Sequence, residues 1–367
     1  MHSSVIERTI AEIVESLKAL SSRVDCAIAC ISGGVDSTTA AVLAKRALGK
    51  AVHPIFIDTG FMRANEAKRV REALKGLIDV EVRDYSESFI SKIEGLSDAE
   101  EKRVAFRDCF YAAVKEITEE KGCSSVVQGT IRADVVETVG GVKTQHNVLN
   151  QELLSKYKLA VIEPLINLYK HDVRAVARHL GLPSSIVDRQ PFPGPGLLVR
   201  AVGRLYREKL ELVRRLTDVV ESLFAGRGFN QYFPAVWEHD VAKSSTNNGV
   251  AYDVFSAKAT GVVGGRRSYG HPVVVREWPE NLDAYELYKH FDATKYPHIL
   301  VKLTEKSSGS YVVALRVVKT ENFIEAEVPK ISFNELELAA RKVAESAEIR
   351  TVAFDVTPKP PATIEYE

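Results

Sequence analysis

The chain has 367 residues, 45% of them hydrophobic, with 49 Lys+Arg against 49 Asp+Glu. That length exceeds one ordinary core and implies two domains. Zero net charge, with both signs interspersed, speaks against a general nucleic-acid or membrane-surface binder. The cysteines, Cys26, Cys30, Cys109 and Cys123, form no CxxC pair and show no zinc spacing, so reduced intracellular thiols are expected.

The amino terminus, MHSSVIERTIAEIVESLKAL, carries Ile6, Ile10, Ile13, Leu17 and Leu20 at helical spacing with acidic residues between them, unlike a signal peptide. No later run reaches the length of a membrane span. A soluble, cytoplasmic protein with neither nucleic-acid nor membrane partners is therefore expected. Strand-like runs and helical patterns then alternate. VDCAIACI (24–31), AVHPIFID (51–58), DVEVRDY (79–85), SSVVQG (124–129) and VIEPL (161–165) read as strands, and 36–48, 65–76, 100–121 and 170–180 as helices. This is the signature of an α/β, doubly wound and mostly parallel sheet.

In RQPFPGPGLLVR (189–200) prolines and glycines crowd into a segment that can be neither helix nor central strand, which predicts a structured linker. A long amphipathic helix (204–225) follows. AYDVFSA, HPVVVRE, HILVKL and SYVVALRVV then read as strands, 333–347 as a helix and TVAFDVT as a last strand. These elements predict a smaller α+β domain, with domains at 1–200 and 201–367.

The run AIACISGGVDST (27–38) sets two glycines between a buried strand and a helix. Backbone amides there point from the helix start into the crevice at the strand ends, where anions bind. The loop is neither GxxxxGK[ST] nor GxGxxG. Ser32 and Ser37 offer hydroxyls, and Asp36 a carboxylate suited to a magnesium ion or to a helix cap. A plain strand-to-helix turn capped by Asp36 or Ser37 explains the same residues, and local chemistry leaves both readings open.

The string SGGVDS resembles the signature loop of the PP-loop ATP pyrophosphatases, which cleave ATP between its α and β phosphates. FIDTGFMRANEAKRV (56–70), QGTIRADVVET (128–138), VKTQHN (142–147), EPL (163–165), PFPGPGL (191–197) and KPPATIEYE (359–367) extend the likeness to the GMP synthetase family. That resemblance implies an adenine nucleotide alpha hydrolase-like sheet followed by an α+β dimerisation domain. It also implies a reaction in which O2 of XMP attacks the α-phosphorus of Mg-ATP. Pyrophosphate then leaves, and ammonia displaces AMP to give GMP. The chain ahead of residue 24 does not resemble a class I glutaminase, so ammonia is expected from solution or from a separate glutaminase subunit. A homodimer through the second domain is also implied.

Carried over by position, Ser32, Gly33, Gly34, Val35, Asp36, Ser37 and Thr38 resemble the pyrophosphate cradle, and Asp58 an ATP-binding residue. The alternative for Asp58 is a cap on the helix near Asn65. Asp36, Asp134 and Glu137 supply oxygens of the kind magnesium prefers, although a random acidic pair such as Asp134 and Glu137 is more often a solvated helix face. Lys143 and His146 resemble a lid, within a segment that departs from the family pattern at Gln145 and again over NVLNQELL. Arg103, Gly194 in the PGPG loop, Lys359, Ile364 and Glu365 resemble the XMP site; their ordinary fates are a surface arginine and a frayed chain end. Trp237-Glu238-His239-Asp240 and His171-Asp172 are read as surface polar groups or helix starts, because neither offers a third metal ligand.

An insertion at about 271–311 interrupts the family match and leaves open whether Arg276 or Arg316 takes one strand position. It is expected to enlarge a dimer or subunit interface. NAD synthetase, a tRNA-thiolating enzyme and a silent nucleotide sensor are the competing readings. The KPPATIEYE tail counts against the first, and the absence of paired catalytic cysteines and of a basic surface against the second. Intact SGGVDS, Lys143 and Lys359 count against the third.

Overall fold

The computed structural model describes residues 3–132, 134–135, 159–247, 249–279, 283–321 and 324–367. Glu137, Lys143 and His146 lie outside the described residues. Contacts divide the chain into Met1–Lys92 with Val104–Gly194, and Ile93–Arg103 with Pro195–Glu367.

In the first unit, β1 (Ala27–Ile31) is the middle of a parallel sheet. The chain runs from β1 through α2 (Val35–Leu48) to β2 (Val52–Asp58), then through α3 (Glu66–Ala73) to β3 (Glu81–Asp84). It crosses back by α4 (Ser86–Ile93) and α5 (Ala99–Lys121) to β4 (Ser125–Val127) on the other side of β1. β5 (Ala160–Ile162), α6 (Lys170–His179) and α7 (Ser184–Val187) follow. The strand order is β3-β2-β1-β4-β5, every neighbouring pair parallel. The reversal between β1 and β4 is the switch point at which open α/β sheets bind ligands.

Side chains alternate across the sheet as a strand requires. Ala27, Ala29 and Ile31 join a core with Ile10, Val14 and Leu17 of α1 (Ser3–Lys18), the alanine-rich α2, and Val173, Val176 and Ala177 of α6. Ile28 points to the opposite face, with Tyr111, Val114 and Ile117 of α5. Small residues let α2 bury almost all round: Ala41, Leu43 and Ala44 have no exposed surface. The sequence reading omits α4, whose eight residues are too few to display a period.

The cysteine expectation is corrected. Cys26 and Cys123, 97 residues apart, form a disulfide, while Cys30 and Cys109 are free. Cys26 immediately precedes β1 and Cys123 shortly precedes β4. Because these strands are parallel neighbours with Ala27 opposite Ser125, their starts lie side by side. Pairing of this kind depends on topology and leaves no trace in spacing. His53 also has a ring nitrogen within 4.8 Å of both sulfurs, but the sulfurs are bonded to each other.

The second unit is built on β6 (Gln231–Glu238), β7 (Val241–Asn247), β8 (Val250–Phe255), β11 (Val273–Val275), β12 (Ile299–Glu305), β13 (Tyr311–Val318) and β14 (Ile349–Asp355), in the order β6-β13-β14-β12-β11-β8-β7. α8 (Arg207–Phe224) packs on β6, and α9 (Phe333–Val343) on β12 and β14. α9 opens with a Ser332–Glu335 capping box. β9 (Ala259–Val263) and β10 (Arg266–Gly270) form a separate hairpin.

Four strands escape the sequence reading for physical reasons. β6 contains Pro234, which only an edge strand tolerates, and β6 is an edge. β7 is a polar, exposed edge at the other side. The hairpin is rich in Gly and Arg. The reading of Trp237-Glu238 as surface groups is also corrected: Trp237 is fully buried and Glu238 is the partner of buried Lys209. His171 is exposed beside Asp172, which caps α6, as a helix start should be.

Candidate active site

The glycine loop leaves β1 at the switch point. Gly33 has φ +80°, and an added Cβ would meet Glu66 Oε1 and Val70 Cγ2 at 2.8 Å each. Glu66 is itself fixed by a bidentate Arg189 at 2.5 and 2.8 Å. Gly34 is the N-cap of α2 and no side chain caps that helix, which removes the capping role considered for Asp36 and Ser37. Ser37 Oγ instead accepts from the Ser32 amide (3.1 Å), lies 2.9 Å from Ser32 Oγ and donates to the Gly34 carbonyl (3.3 Å). The loop is thus closed on itself by hydroxyls, with the helix start facing the crevice.

Gly129, just beyond β4, is the loop's opposing wall. A Cβ there would stand 2.6 Å from the Ser37 amide nitrogen and 2.7 Å from the Asp36 carbonyl carbon. The family-like QGT run therefore holds a glycine because two backbones touch.

Asp36 Oδ2 accepts from Lys170 Nζ at 2.5 Å, and Oδ1 is buried with no hydrogen-bond partner. Burial pushes the Asp36 carboxyl above the usual range, and Lys170 offsets only part of that. Asp134 is close enough for its charge to raise Asp36 further; its Oδ2 accepts from the Ile131 amide at 3.0 Å. A buried, unpartnered carboxylate oxygen beside a second carboxylate is a donor set that suits a hard divalent cation. Asp58 ends β2 and closes a turn by accepting from the Gly60 amide at 2.9 Å; α3 starts after Asn65 with no side-chain cap, so Asp58 does not cap it.

Of the residues assigned to XMP by resemblance, Gly194 is exposed at the end of the first unit's chain. The others belong to the second unit, where Arg103 lies near β10 and the tail that carries the rest runs beside β9. Arg103 of α5 reaches Glu100 at 3.6 Å, which also meets Arg267 (3.7 Å) and the Tyr269 hydroxyl (3.4 Å) of β10. Along β9, Val262 donates to the Pro361 carbonyl at 2.8 Å, and Gly261 bridges Ala362. Lys359 exchanges both backbone hydrogen bonds with Ala326, at 2.8 and 3.0 Å.

The tail is docked along its length. Ile364 is buried in the core, and Glu365 is held by Arg200 through Nε (3.1 Å) and Nη2 (3.0 Å). Glu367 is buried against Lys102 and the Gly203 amide; burial raises its carboxyl above the usual range despite both. Arg316 of β13 is fully buried and donates to the Thr357 and Thr363 carbonyls at 2.5 and 2.8 Å, while Arg276, just past β11, pairs with Asp253 at the surface. Sequence reasoning missed Lys170, Arg200, His298 and Asp355, whose partners are remote in the chain.

The family model for the GMP synthase C terminal domain matches residues 300–366, and that for the Thiamine biosynthesis protein (ThiI) matches 23–189. One named subunit of the glutamine-hydrolyzing GMP synthase of Sulfurisphaera tokodaii is 45% identical over 93% of this chain and 94% of its own. The same subunit from Archaeoglobus fulgidus is 36% identical over 99% and 98%. The solved structure of NMN synthetase from Francisella tularensis overlaps 52% of this chain and 77% of its own at TM-score 0.42 and 17% identity, too slight a likeness to add to the sequence matches. No helix among the described residues is long and apolar enough to cross a membrane. The chain belongs to this family of glutamine-hydrolyzing GMP synthase subunits.

Proposed function

We propose that this enzyme, an ATP-dependent ligase, makes GMP from XMP, ATP and ammonia, and that its chemistry is arranged around the switch point of the parallel sheet. The observation that carries this reading is the SGGVDS loop at the start of α2, closed by its own serines and walled by Gly129. Amides and hydroxyls held this way stabilise charge that develops on a leaving pyrophosphate without reorganising. XMP O2 attacks the α-phosphorus, the α–β bridging bond breaks, and AMP is left on the purine. Ammonia then adds at the same carbon and AMP departs.

Ser32 to Thr38 would hold the pyrophosphate, with Asp58 near the nucleotide. Asp36 and Asp134, and by resemblance Glu137, would hold magnesium, which when bound neutralises phosphate charge. Lys170, salt-bridged to Asp36, is placed to turn toward the phosphates once Asp36 engages a cation. Lys143 and His146 are the lid residues of this reading. We read 1–200 as the ATP domain and 201–367 as the XMP-binding and pairing domain. By resemblance, Arg103, whose contacts group it with the second unit, and Lys359 serve the XMP phosphate, and Glu365 reads the base. Gly194 and Ile364 are further XMP residues by resemblance.

The relatives are named as one subunit of a glutamine-hydrolyzing enzyme, which supports a separate partner subunit. We read that partner as a cytoplasmic glutaminase that delivers ammonia, and the chain itself as a homodimer. The test is purified protein with XMP, Mg-ATP and ammonium. GMP, AMP and pyrophosphate are expected in equal amounts; ADP and phosphate, or indifference to XMP, would refute the reading. Glutamine alone should give no GMP until the partner is added.

A further inference from the structure

We propose that His298, carried into the second unit by the 271–311 segment, is a positioning residue for XMP: with Asp355 and Arg316 it seats the C-terminal tail. The inference rests on the reading of that tail as part of the XMP site. His298 directly precedes β12 and has no exposed surface. Its Nδ1 lies 2.6 Å from Asp355 Oδ2, and its Nε2 lies 3.0 Å from the Thr260 carbonyl of β9. Tyr366 stacks on its ring, with centroids 4.1 Å apart and planes 23° apart, and donates its hydroxyl to the same Asp355 oxygen at 2.7 Å.

The other connections run through the same few groups. Arg316 Nη1 stands 3.2 Å from Asp355 Oδ2, and Nη2 donates to the Thr363 carbonyl in the tail at 2.8 Å. Thr363 Oγ1 donates to the Thr260 carbonyl (3.0 Å), and the Thr260 amide donates to the Tyr366 carbonyl (2.8 Å). One imidazole therefore ties together the end of β14, the hairpin and the tail. β12 itself is an interior strand between β14 and β11. Buried polar networks of this kind hold one geometry, because any other leaves a desolvated group unpaired. Lys359 and Glu365 flank Thr363, so their placement depends on this seat.

Tyr366→Phe keeps the ring and its stacking and removes only the bond to Asp355. His298→Ala removes the hub. Loss of one buried bond to a charged group is expected to raise the KM for XMP about tenfold in Tyr366→Phe, and more in His298→Ala, with the KM for ATP unchanged. Amide exchange should quicken in 359–367 and not in β13. A merely structural defect would lower kcat through loss of active enzyme and leave the ratio of the two KM values alone. Lys359→Ala, measured alongside, tests the tail reading separately. If Lys359→Ala raises the KM for XMP while Tyr366→Phe changes neither KM nor tail exchange, the role of His298 is overturned and the tail reading stands. If tail exchange quickens and XMP binding is unmoved in every variant, the tail reading falls and takes the proposal with it. His298→Asn, which can keep a donor toward Asp355, replaces His298→Ala if the alanine variant does not fold.

Discussion

At the residue scale, the site is decided by places where nothing but the observed side chain fits. Gly129→Ala would drive a Cβ into the Asp36–Ser37 peptide at 2.6 to 2.8 Å and push the loop off its amide geometry. Pyrophosphate release should fall by about two orders of magnitude, the scale of losing one oriented donor, while circular dichroism stays native. Lys170→Met leaves Asp36 without its cation, and ATP affinity should drop about tenfold in a fluorescent-nucleotide titration, with the KM for XMP unmoved. Arg316→Met strips a buried partner from Asp355 and should cost about 3–5 kcal/mol in urea unfolding. The half-exposed Arg276 pair should cost below about 1 kcal/mol on the same change. Trp237 and Trp278 both lie in the second unit, so their fluorescence reports its unfolding. The strand–loop–helix geometry of 27–38 was legible because its residues are contiguous in sequence. Lys170 and Arg200 were not, since their carboxylates lie 134 and 165 residues away and only the fold brings them together.

At the scale of elements, hydrophobic periodicity located β1, α2 and α5 because each is long or buried on a defined face. It failed at α4, which is short, and at β6 and β7, edge strands whose proline and polar residues are tolerated only because one side needs no partner. The 271–311 segment reads in sequence as an insertion at an interface, with HILVKL a strand inside it; in the structure that strand is β12, which pairs with β14 on one side and β11 on the other. Removing 278–309 would unpair both neighbours. The expected result is loss of cooperative unfolding in the second unit, seen as protease sensitivity of 230–367, while the first unit keeps its far-ultraviolet signal. A folded, active deletion protein would contradict this assignment of β12.

At the scale of the whole molecule, charge placement predicts behaviour in acid. Burial would raise the Asp355 carboxyl, but Arg316, His298 and Tyr366 outweigh it and bring the group down from its ordinary 3.8 to about 2. The folded value lies below the unfolded one. The stabilisation is therefore complete above pH 3.8 and is lost as pH falls toward 2. Asp355→Asn should flatten the dependence of second-unit stability on pH across that window, measured by tryptophan fluorescence. Thiol titration of the unreduced, denatured chain should count two cysteines, Cys30 and Cys109, and four after reduction. The disulfide bears on the crevice at the switch point as well. β1 and β4 are bonded covalently just before they begin, and just after they end Gly129 meets the loop so closely that no larger residue fits. A pair of rails clamped at both ends has a fixed gauge. The loop between them acts as the stationary jaw of a vice, so on the proposed reaction the adjustment to each successive phosphate group falls to the ligand and not to the loop.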